Sequence, residues 1–227
     1  MRFTVQSRSG EREVEPDLRY VLLAGYTGRD QEAVRAHIAE LADHGVAAPG
    51  TVPAVYAVPA TRLVPAGHLT VHGERTAGEA EFLILDDHGE LLIGLCSDHT
   101  DRELEEHSVV KSKQTCDKPA CPTLWEFAEL EDHWDDLRLR AEVRTGDGWA
   151  VYQEGVLGSL LTPERILAVV GDHVGSLKDV AVFSGTLPLV GGEFRYGPGF
   201  RATLDDPVLG RQLTCEYTVE ELPDIGS

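Results

Sequence analysis

Three acidic residues in the first half of the chain have types and spacing suited to binding a divalent cation. Glu79 and Glu81 lie two residues apart in the run GEAEFLILD, which predicts a strand, so both side chains leave the same face. Asp98 ends the next predicted strand, ELLIGLCSD. Converging carboxylates repel each other, and oxygen ligands without clustered histidines favour magnesium, manganese or calcium over zinc. The alternative is a solvated strand face that carries two glutamates.

The convergence of these carboxylates depends on the register of the hairpin that joins the two strands. Residues 86–89 predict a tight turn that pairs Leu85 with Glu90. This register places Glu79 opposite Cys96, and the aspartate lies on the same face two residues further on. A slip by one residue would turn one set of side chains to the other face.

Lysine is rare in this chain and is concentrated close to the acidic segment. The chain has 16 arginines and four lysines, and Lys111, Lys113 and Lys118 fall within eight residues of one another. An ammonium group beside a metal-bound carboxylate substrate would neutralise its charge or stabilise an enolate oxygen. A basic loop that balances the surrounding acids is the alternative.

A histidine and a glutamate could activate water on the first predicted helix. His37 and Glu40 are three residues apart and are therefore neighbours on the helix surface. Such a pair can hold and deprotonate a water molecule, because the carboxylate fixes the tautomer of the imidazole. The alternative is a contact that only stabilises the helix.

The rest of the sequence predicts the elements that carry these residues, and most of them are strands. RFTVQ and RYVLLAGY are typical of strands, and residues 27–30 resemble a capping box that opens a helix ending at Gly45. Residues 68–98 predict a three-stranded β-meander. A capping box at residues 123–126 predicts a helix through Leu137, and TPERILAVVG predicts another. The pattern is that of a strand-rich α+β protein with a few short helices.

Composition excludes several classes of function. The 227 residues carry 39 acidic and 20 basic side chains, a formal net charge of −19, which argues against nucleic-acid and anionic-membrane partners. No apolar run has the ~20 residues that a membrane span needs, and the first residues lack the apolar region of a secretory signal. We therefore expect a cytoplasmic protein whose four cysteines are reduced thiols.

Several runs, in order along nearly the whole chain, resemble the fumarylacetoacetate hydrolase superfamily. GEAEFLIL, SDHTDRELEE and VKSKQTCDKPACP resemble its E-x-E strand, its D-x-T-x-R-D segment and its K-x-F-D-x-x-x-P-like stretch. SGTLPLVGGEFRYGPGF is similar to its TGTPxGVG turn, and AGYTGRDQEAVRAHIAEL to its lid helix with an H-x-x-E pair. The SDHTDRE and SKQxCxKP runs also resemble a short prokaryotic branch of that superfamily.

The resemblance implies a particular architecture and cofactor. It implies a mixed β-roll or β-sandwich with a few short helices, forming one domain over residues 1–227. N-terminal strands and the lid helix would occupy residues 1–67, and the β-roll core with the metal site residues 68–227. The resemblance also implies a homodimer that uses Mg²⁺ or Mn²⁺, with Ca²⁺ as a possible crystallisation substitute, and that binds a small carboxylate substrate.

The resemblance further implies roles for nine residues. The metal ligands would be Glu79, Glu81 and Asp98, the catalytic residues His37, Glu40 and Lys113, and the substrate-binding residues Arg102, Thr186 and Gln153. The implied reaction is hydrolysis of a carbon–carbon bond in an acylpyruvate-like 2-oxo acid or 1,3-dicarbonyl compound, through a metal-bound enolate.

Other functions stay open at this point. A decarboxylase, hydratase or isomerase could use the same 2-oxo acid scaffold, and a non-catalytic, metal-dependent carboxylate-binding protein is a further alternative. The sequence departs from the superfamily pattern where Leu187 enters the SGTLP turn and where Asp101 precedes Arg102. These departures concern substrate contacts more than metal ligands.

Overall fold

The computed structural model describes residues 1–43 and 48–225; the side chains of His37 and of residues 40–43 lie outside the described part. The strands are β1 (Phe3–Ser7), β2 (Gly10–Val14), β3 (Tyr20–Gly25), β4 (Ala54–Pro59), β5 (Leu63–Pro65), β6 (His68–Val71), β7 (Thr76–Ala77), β8 (Ala80–Asp87), β9 (Glu90–Ser97), β10 (Thr100–Asp101), β11 (Lys118–Ala120), β12 (Thr123–Glu126), β13 (Arg138–Thr145), β14 (Gly148–Val156), β15 (Val180–Phe183), β16 (Gly199–Asp206) and β17 (Arg211–Glu221). The α-helices are α1 (Gln31–Asp43), α2 (Arg102–Glu105), α3 (Val109–Thr115) and α4 (Pro163–Val174).

Two sheets contain most of these strands. The larger has ten strands, in the order β2-β1-β12-β9-β8-β15-β3-β4, with β11 and β5 joined to it through β9. The smaller sheet has the order β14-β13-β16-β17-β6, and β7 pairs with β10 separately. Parallel pairs, such as β15 with β3, occur beside antiparallel ones. The expected strand-rich, mixed α+β fold is confirmed.

The central strand β8 is buried on both of its faces. Phe82 and Ile84 belong to the core between the two sheets. Leu83 and Leu85 point the other way, into a second apolar cluster. Glu81 shares the face of the second pair, because alternate residues of a strand point to the same side. The acidic segment therefore extends an apolar face that is shielded from water.

The β8–β9 hairpin is shorter at its turn than the sequence suggests. Asp87 pairs with Glu90, and Glu81, not Glu79, lies opposite Cys96. The prediction of a turn over residues 86–89 was wrong by two residues. The two residues at the turn, His88 and Gly89, both have positive φ, as a two-residue hairpin turn of type I′ requires. A shift of two residues keeps every side chain on its predicted face, so the carboxylates still converge.

Two other predictions of local structure were wrong. The strand β6 pairs with β17 in the smaller sheet, so residues 68–98 do not form a single meander. Residues 123–126 form a strand whose Leu124 and Trp125 enter opposite cores, and only short 3₁₀ turns follow through Asp136. Helix formation there is overridden because the segment pairs with both β1 and β9.

The two longer helices are confirmed, with one change of cap. Asp30, rather than Thr27, caps α1, since its Oδ1 accepts the amide hydrogens of residues 32 and 33. The predicted helix end at Gly45 lies outside the described residues. The helix α4 begins with Pro163 in its first turn and ends at Gly175 in the left-handed conformation. Within the described residues, every helix is too short or too polar to cross a bilayer.

Candidate metal and substrate site

The three carboxylates meet at the end of the β8–β9 hairpin. Glu79 immediately precedes β8, Glu81 is its second residue, and Asp98 immediately follows β9. One carboxylate oxygen from each residue lies within 4.8 Å of the others. Glu81 and Asp98 are 2% and 1% exposed, so the cluster is screened from water.

Glu81 is the carboxylate whose charge is least compensated. Its Oε2 accepts a hydrogen bond of 2.7 Å from the Gly185 amide, and among the described residues no lysine or arginine forms an ion pair with it. Burial, and then the charges of Asp98 and Glu79, raise the pKa of Glu81 well above its usual value. A buried group of carboxylates under such repulsion is a donor set that fits Mg²⁺ or Mn²⁺.

Two lysines hold Asp98 from different elements. Lys113, on α3, donates a hydrogen bond to Asp98 Oδ2, and its Nζ lies 3.8 Å from Glu79 Oε2. Lys118, at the start of β11, has its Nζ 3.0 Å from Asp98 Oδ1 and 2.5 Å from the His99 carbonyl oxygen. Ser108 caps α3 and thereby fixes the helix that carries Lys113.

These contacts set the charge states of the site. Burial alone would raise the pKa of Asp98, but Lys113 and Lys118 outweigh it and hold that pKa well below its usual range. Burial would lower the pKa of Lys113, but Asp98 and Glu79 outweigh it and raise the value. Burial prevails at Lys118, whose pKa is lowered. Lys113 is therefore an ammonium group at neutral pH.

Arg102 lies at the other side of Glu79. Its Nη2 is 3.2 Å from Glu79 Oε1, and its Nη1 donates a hydrogen bond of 2.7 Å to Glu105. The residue is only 4% exposed, yet its Nε and Nη2 make no hydrogen bond. The Phe194 ring covers the guanidinium, with 4.4 Å between its centroid and Cζ. These two nitrogens, which lack hydrogen-bond acceptors, suit a carboxylate oxygen pair.

Gln153 and Thr186 contact the backbone between the two glutamates. Gln153 Oε1 accepts the Ala80 amide hydrogen at 2.9 Å, and its Nε2 donates to Thr186 Oγ1 and the Leu187 carbonyl. Thr186 Oγ1 donates to the Ala80 carbonyl at 2.8 Å. Both side chains thus brace the strand that carries the glutamates. Their substrate-binding role stays a prediction.

The structure brings together five of the nine predicted residues around one point, and two more brace it. His37 and Glu40 belong to α1, but their side chains lie outside the described part, so their predicted role as a water-activating pair stays a prediction. Lys118 and Gly185 also contact the carboxylates, and neither was predicted to belong to the site. Lysine scarcity was a usable signal for Lys118, since it singled out all three neighbouring lysines.

Comparison with solved structures identifies the fold of the protein. A 2-keto-3-deoxy-D-arabinonate dehydratase complexed with magnesium and 2,5-dioxopentanoate is 18% identical with a TM-score of 0.63, over 96% of this chain and 79% of that chain. Cg1458 is 12% identical with a TM-score of 0.64, over 94% of this chain and 81% of that chain. A protein from Mycobacterium abscessus ATCC 19977 / DSM 44196 is 18% identical with a TM-score of 0.62, over 95% of this chain and 84% of that chain. The likeness shows a fumarylacetoacetate-hydrolase-like fold.

Sequence comparison identifies the family within that fold. Residues 24–217 match the family described as "Protein of unknown function (DUF2848)", and the chain belongs to this family. The matched segment includes every predicted site residue. No curated protein matches the sequence.

Proposed function

We propose that this protein is a divalent-metal-dependent enzyme that acts on a 2-oxo acid. The observation that carries the proposal is the cluster of Glu79, Glu81 and Asp98, whose oxygens lie within 4.8 Å of one another beside the ammonium group of Lys113. Those three residues would hold Mg²⁺ or Mn²⁺. A cation bound there supplies a Lewis acid that polarises the 2-oxo group.

Lys113 stabilises the negative charge that develops on the substrate oxygen. Its raised pKa keeps it protonated, so it acts through its charge and does not serve as a general base. Asp98 accepts a hydrogen bond from Lys113 and thereby fixes the position of the ammonium group. A charge held in place before the reaction needs no reorganisation when the enolate oxygen forms.

Arg102 binds the substrate carboxylate. Its Nε and Nη2 are buried without hydrogen bonds, and Nη2 has only its ion pair with Glu79, so an incoming carboxylate would supply hydrogen-bond acceptors to both nitrogens. Glu105 holds Nη1 on the opposite side and prevents the guanidinium from turning. The substrate carboxylate would therefore approach from the side of Glu79.

The finer reaction that we propose is hydrolysis of a carbon–carbon bond in an acylpyruvate-like substrate. His37 and Glu40 would hold and deprotonate the attacking water, which adds to the distal carbonyl. The bond to the neighbouring carbon then breaks, and its electron pair forms the enolate beside Lys113. We further propose that the protein is a homodimer and is located in the cytoplasm.

Dehydration of a 2-oxo acid is the second candidate. It is favoured by the similarity in fold to the 2-keto-3-deoxy-D-arabinonate dehydratase, whose structure contains magnesium and 2,5-dioxopentanoate. Loss of water next to a 2-oxo group needs the same stabilised enolate and no activated water. The products separate the candidates, since hydrolysis divides an acylpyruvate into pyruvate and a carboxylic acid, whereas dehydration removes a proton and a hydroxyl group from adjacent carbons and leaves the carbon chain intact.

Calorimetric titration with Mg²⁺ and with Mn²⁺, in the presence and absence of oxalate, tests the proposal. Oxalate mimics the bidentate enolate of pyruvate. We expect the wild-type protein to bind both cations, and we expect oxalate to tighten this binding. The Glu81→Ala/Asp98→Ala protein should bind neither Mg²⁺ nor Mn²⁺. The Glu103→Ala/Asp147→Ala protein is the matched control, because it removes two exposed carboxylates. Absence of cation binding by the wild-type protein would overturn the proposal.

A further inference from the structure

Three aromatic side chains from separate parts of the chain border the charged residues of the site. We propose that they form the pocket for the distal part of the substrate, and that this part is neutral and apolar, with an aromatic group preferred. The inference rests on the proposed function, because it concerns what lies beyond the 2-oxo acid group. The pocket consists of Tyr26, Tyr56 and Phe194, and we call it the aromatic pocket.

Tyr26 follows β3 and has an unusual backbone conformation. Its φ is 61°, a region that residues other than glycine seldom adopt, and such conformations cluster at functional sites. The side chain is half-buried. Burial, and then Tyr56 and Glu105, raise the pKa of Tyr26 to about 12, and the charges of Lys113 and Glu79 also act on it. The phenol is therefore neutral, and the backbone beside it adjoins Tyr56, since a Cβ on the preceding Gly25 would lie 3.8 Å from Cε2 of the Tyr56 ring.

Tyr56 borders the same lysine from β4. The Lys113 Nζ lies 5.9 Å from the centroid of the Tyr56 ring, within the range of a cation–π contact. Burial raises the pKa of Tyr56, with an opposing contribution from Lys113 and a further increase due to Glu105. The ring is half-buried, which leaves part of its surface free to contact a ligand.

Phe194 borders the site over Arg102. Its ring centroid is 4.4 Å from Cζ of a guanidinium that is itself 4% exposed, while 40% of Phe194 is exposed. The ring therefore has one face on the arginine and surface left for another apolar group. Since Arg102 is also 3.2 Å from Glu79, this aromatic ring adjoins the site through Arg102.

Glu105 determines the charge that the pocket accepts. Its side chain is 19% exposed and pairs with Arg102, and its charge reaches both Tyr26 and Tyr56. The two cations at the pocket, Arg102 and Lys113, are already paired with carboxylates of the site, so a second carboxylate on the distal part of the substrate would not be compensated and would be repelled by Glu105. A polyhydroxylated group would gain little from three ring surfaces, whereas a phenyl group would bury its apolar area against them. The chemistry therefore favours a mono-anionic 2-oxo acid with an apolar end.

Calorimetric titration of the Mg²⁺-loaded full-length protein with a series of 2-oxo acids tests this inference. The series is 2-oxobutanoate, 4-phenyl-2-oxobutanoate, 2-oxoglutarate and 2-keto-3-deoxy-D-arabinonate. We expect the phenyl compound to bind at least about 10-fold more tightly than 2-oxobutanoate, the gain typical of burying one aromatic group. We expect 2-oxoglutarate and 2-keto-3-deoxy-D-arabinonate to bind no more tightly than 2-oxobutanoate.

Variants locate the preference in the pocket. Tyr56→Ala and Phe194→Ala should each reduce the ratio of the two affinities at least about threefold, because each removes one ring surface. Tyr20→Ala removes an exposed tyrosine from the opposite end of β3 and should leave the ratio unchanged. An unchanged ratio in both pocket variants would overturn the assignment.

The outcomes separate this inference from the proposed function. If 2-oxobutanoate binds and the phenyl compound binds no better, the aromatic pocket is refuted while the 2-oxo acid site stands. The same holds if 2-oxoglutarate binds most tightly. If no compound in the series binds to the Mg²⁺-loaded protein, the proposed function fails, and this inference fails with it.

Discussion

Lys118 forms a buried ion pair with Asp98. Its Nζ lies 3.0 Å from Oδ1 of the carboxylate, and its side chain is wholly inaccessible to solvent. Its ammonium group also donates to the carbonyl of His99, the residue next to the aspartate. Asp98 is thus oriented through its side chain and through the adjacent backbone by a single buried cation. The position of this carboxylate is fixed by the fold before any metal or substrate binds.

We predict that Lys118→Met lowers the free energy of unfolding by about 3 to 5 kcal/mol, because it leaves a buried carboxylate with one partner fewer. Lys111→Met, which changes an exposed lysine on α3, should change it by less than about 0.5 kcal/mol. Urea denaturation of both variants at neutral pH provides the measurement. Equal effects for the two would show that the buried ion pair does not stabilise the fold.

The faces of the acidic strand could be predicted from the sequence because side-chain direction in a strand has a period of two. Glu79, Glu81 and Asp98 were placed together although the pairing was wrong by two residues. The same local reasoning failed for residues 123–126. There a capping-box pattern competes with strand pairing on both sides, and the tertiary contacts prevail.

The contacts that complete the site could not be predicted, since they join distant parts of the chain. The amide of Gly185 reaches Glu81 only because β15 pairs with β8. The burial of Lys118 follows from the pairing of β11 with both β5 and β9, which no local pattern indicates. Composition identified a suitable lysine segment, but only the fold shows which ammonium group faces which carboxylate.

We predict that Gly185→Ala weakens Mg²⁺ binding by at least about 10-fold. The glycine has a φ of 81°, and a Cβ there would lie 2.5 Å from Thr27 Oγ1 and 2.9 Å from the Ala24 carbonyl. The turn must shift, and with it the amide that holds Glu81. Gly210→Ala is the matched control, because its φ is also positive at 65° but open space surrounds it. Equal Mg²⁺ affinities for the two variants in calorimetry would contradict the prediction.

We predict that Glu81 makes the metal-free protein less stable as the pH rises. Its pKa is raised in the folded state, so the folded protein binds more protons than the unfolded chain and loses stability above the unfolded value of about 4.3. The stability of Glu81→Gln relative to wild type should therefore increase as the pH rises above about 4.3, by about 1.4 kcal/mol for each pH unit over which Glu81 is protonated in the folded state only. Asp98 is present in both proteins, so the comparison isolates Glu81.

Added Mg²⁺ should reverse this order of stability. The cation binds the folded wild-type protein and stabilises it by mass action, whereas Glu81→Gln lacks one ligand. Chemical denaturation at several pH values, with Mg²⁺ and with a chelator, provides the measurement. A stability difference that is independent of pH in the chelator would show that Glu81 is not a strained buried carboxylate.

We predict that Gln153 acts as a positioning residue rather than by contact with the substrate. Its amide oxygen and both amide hydrogens are engaged by Ala80, Thr186 and Leu187, and the side chain is fully buried. Gln153→Ala should release the backbone between Glu79 and Glu81 and weaken Mg²⁺ binding about 10-fold, since metal ligands need support from the residues behind them. The factor by which oxalate tightens Mg²⁺ binding should be unchanged, because the substrate-facing donors of Arg102 are intact.

The opposite pattern would reveal a direct contact. If Gln153 binds the substrate, Gln153→Ala should leave the affinity for Mg²⁺ alone unaltered and reduce the tightening by oxalate. Gln212→Ala, which removes an exposed glutamine from β17, should change neither quantity. Calorimetry with the cation alone and with oxalate separates the two roles, because a bracing side chain acts on the ligands of the metal whereas a contact residue acts on the bound anion.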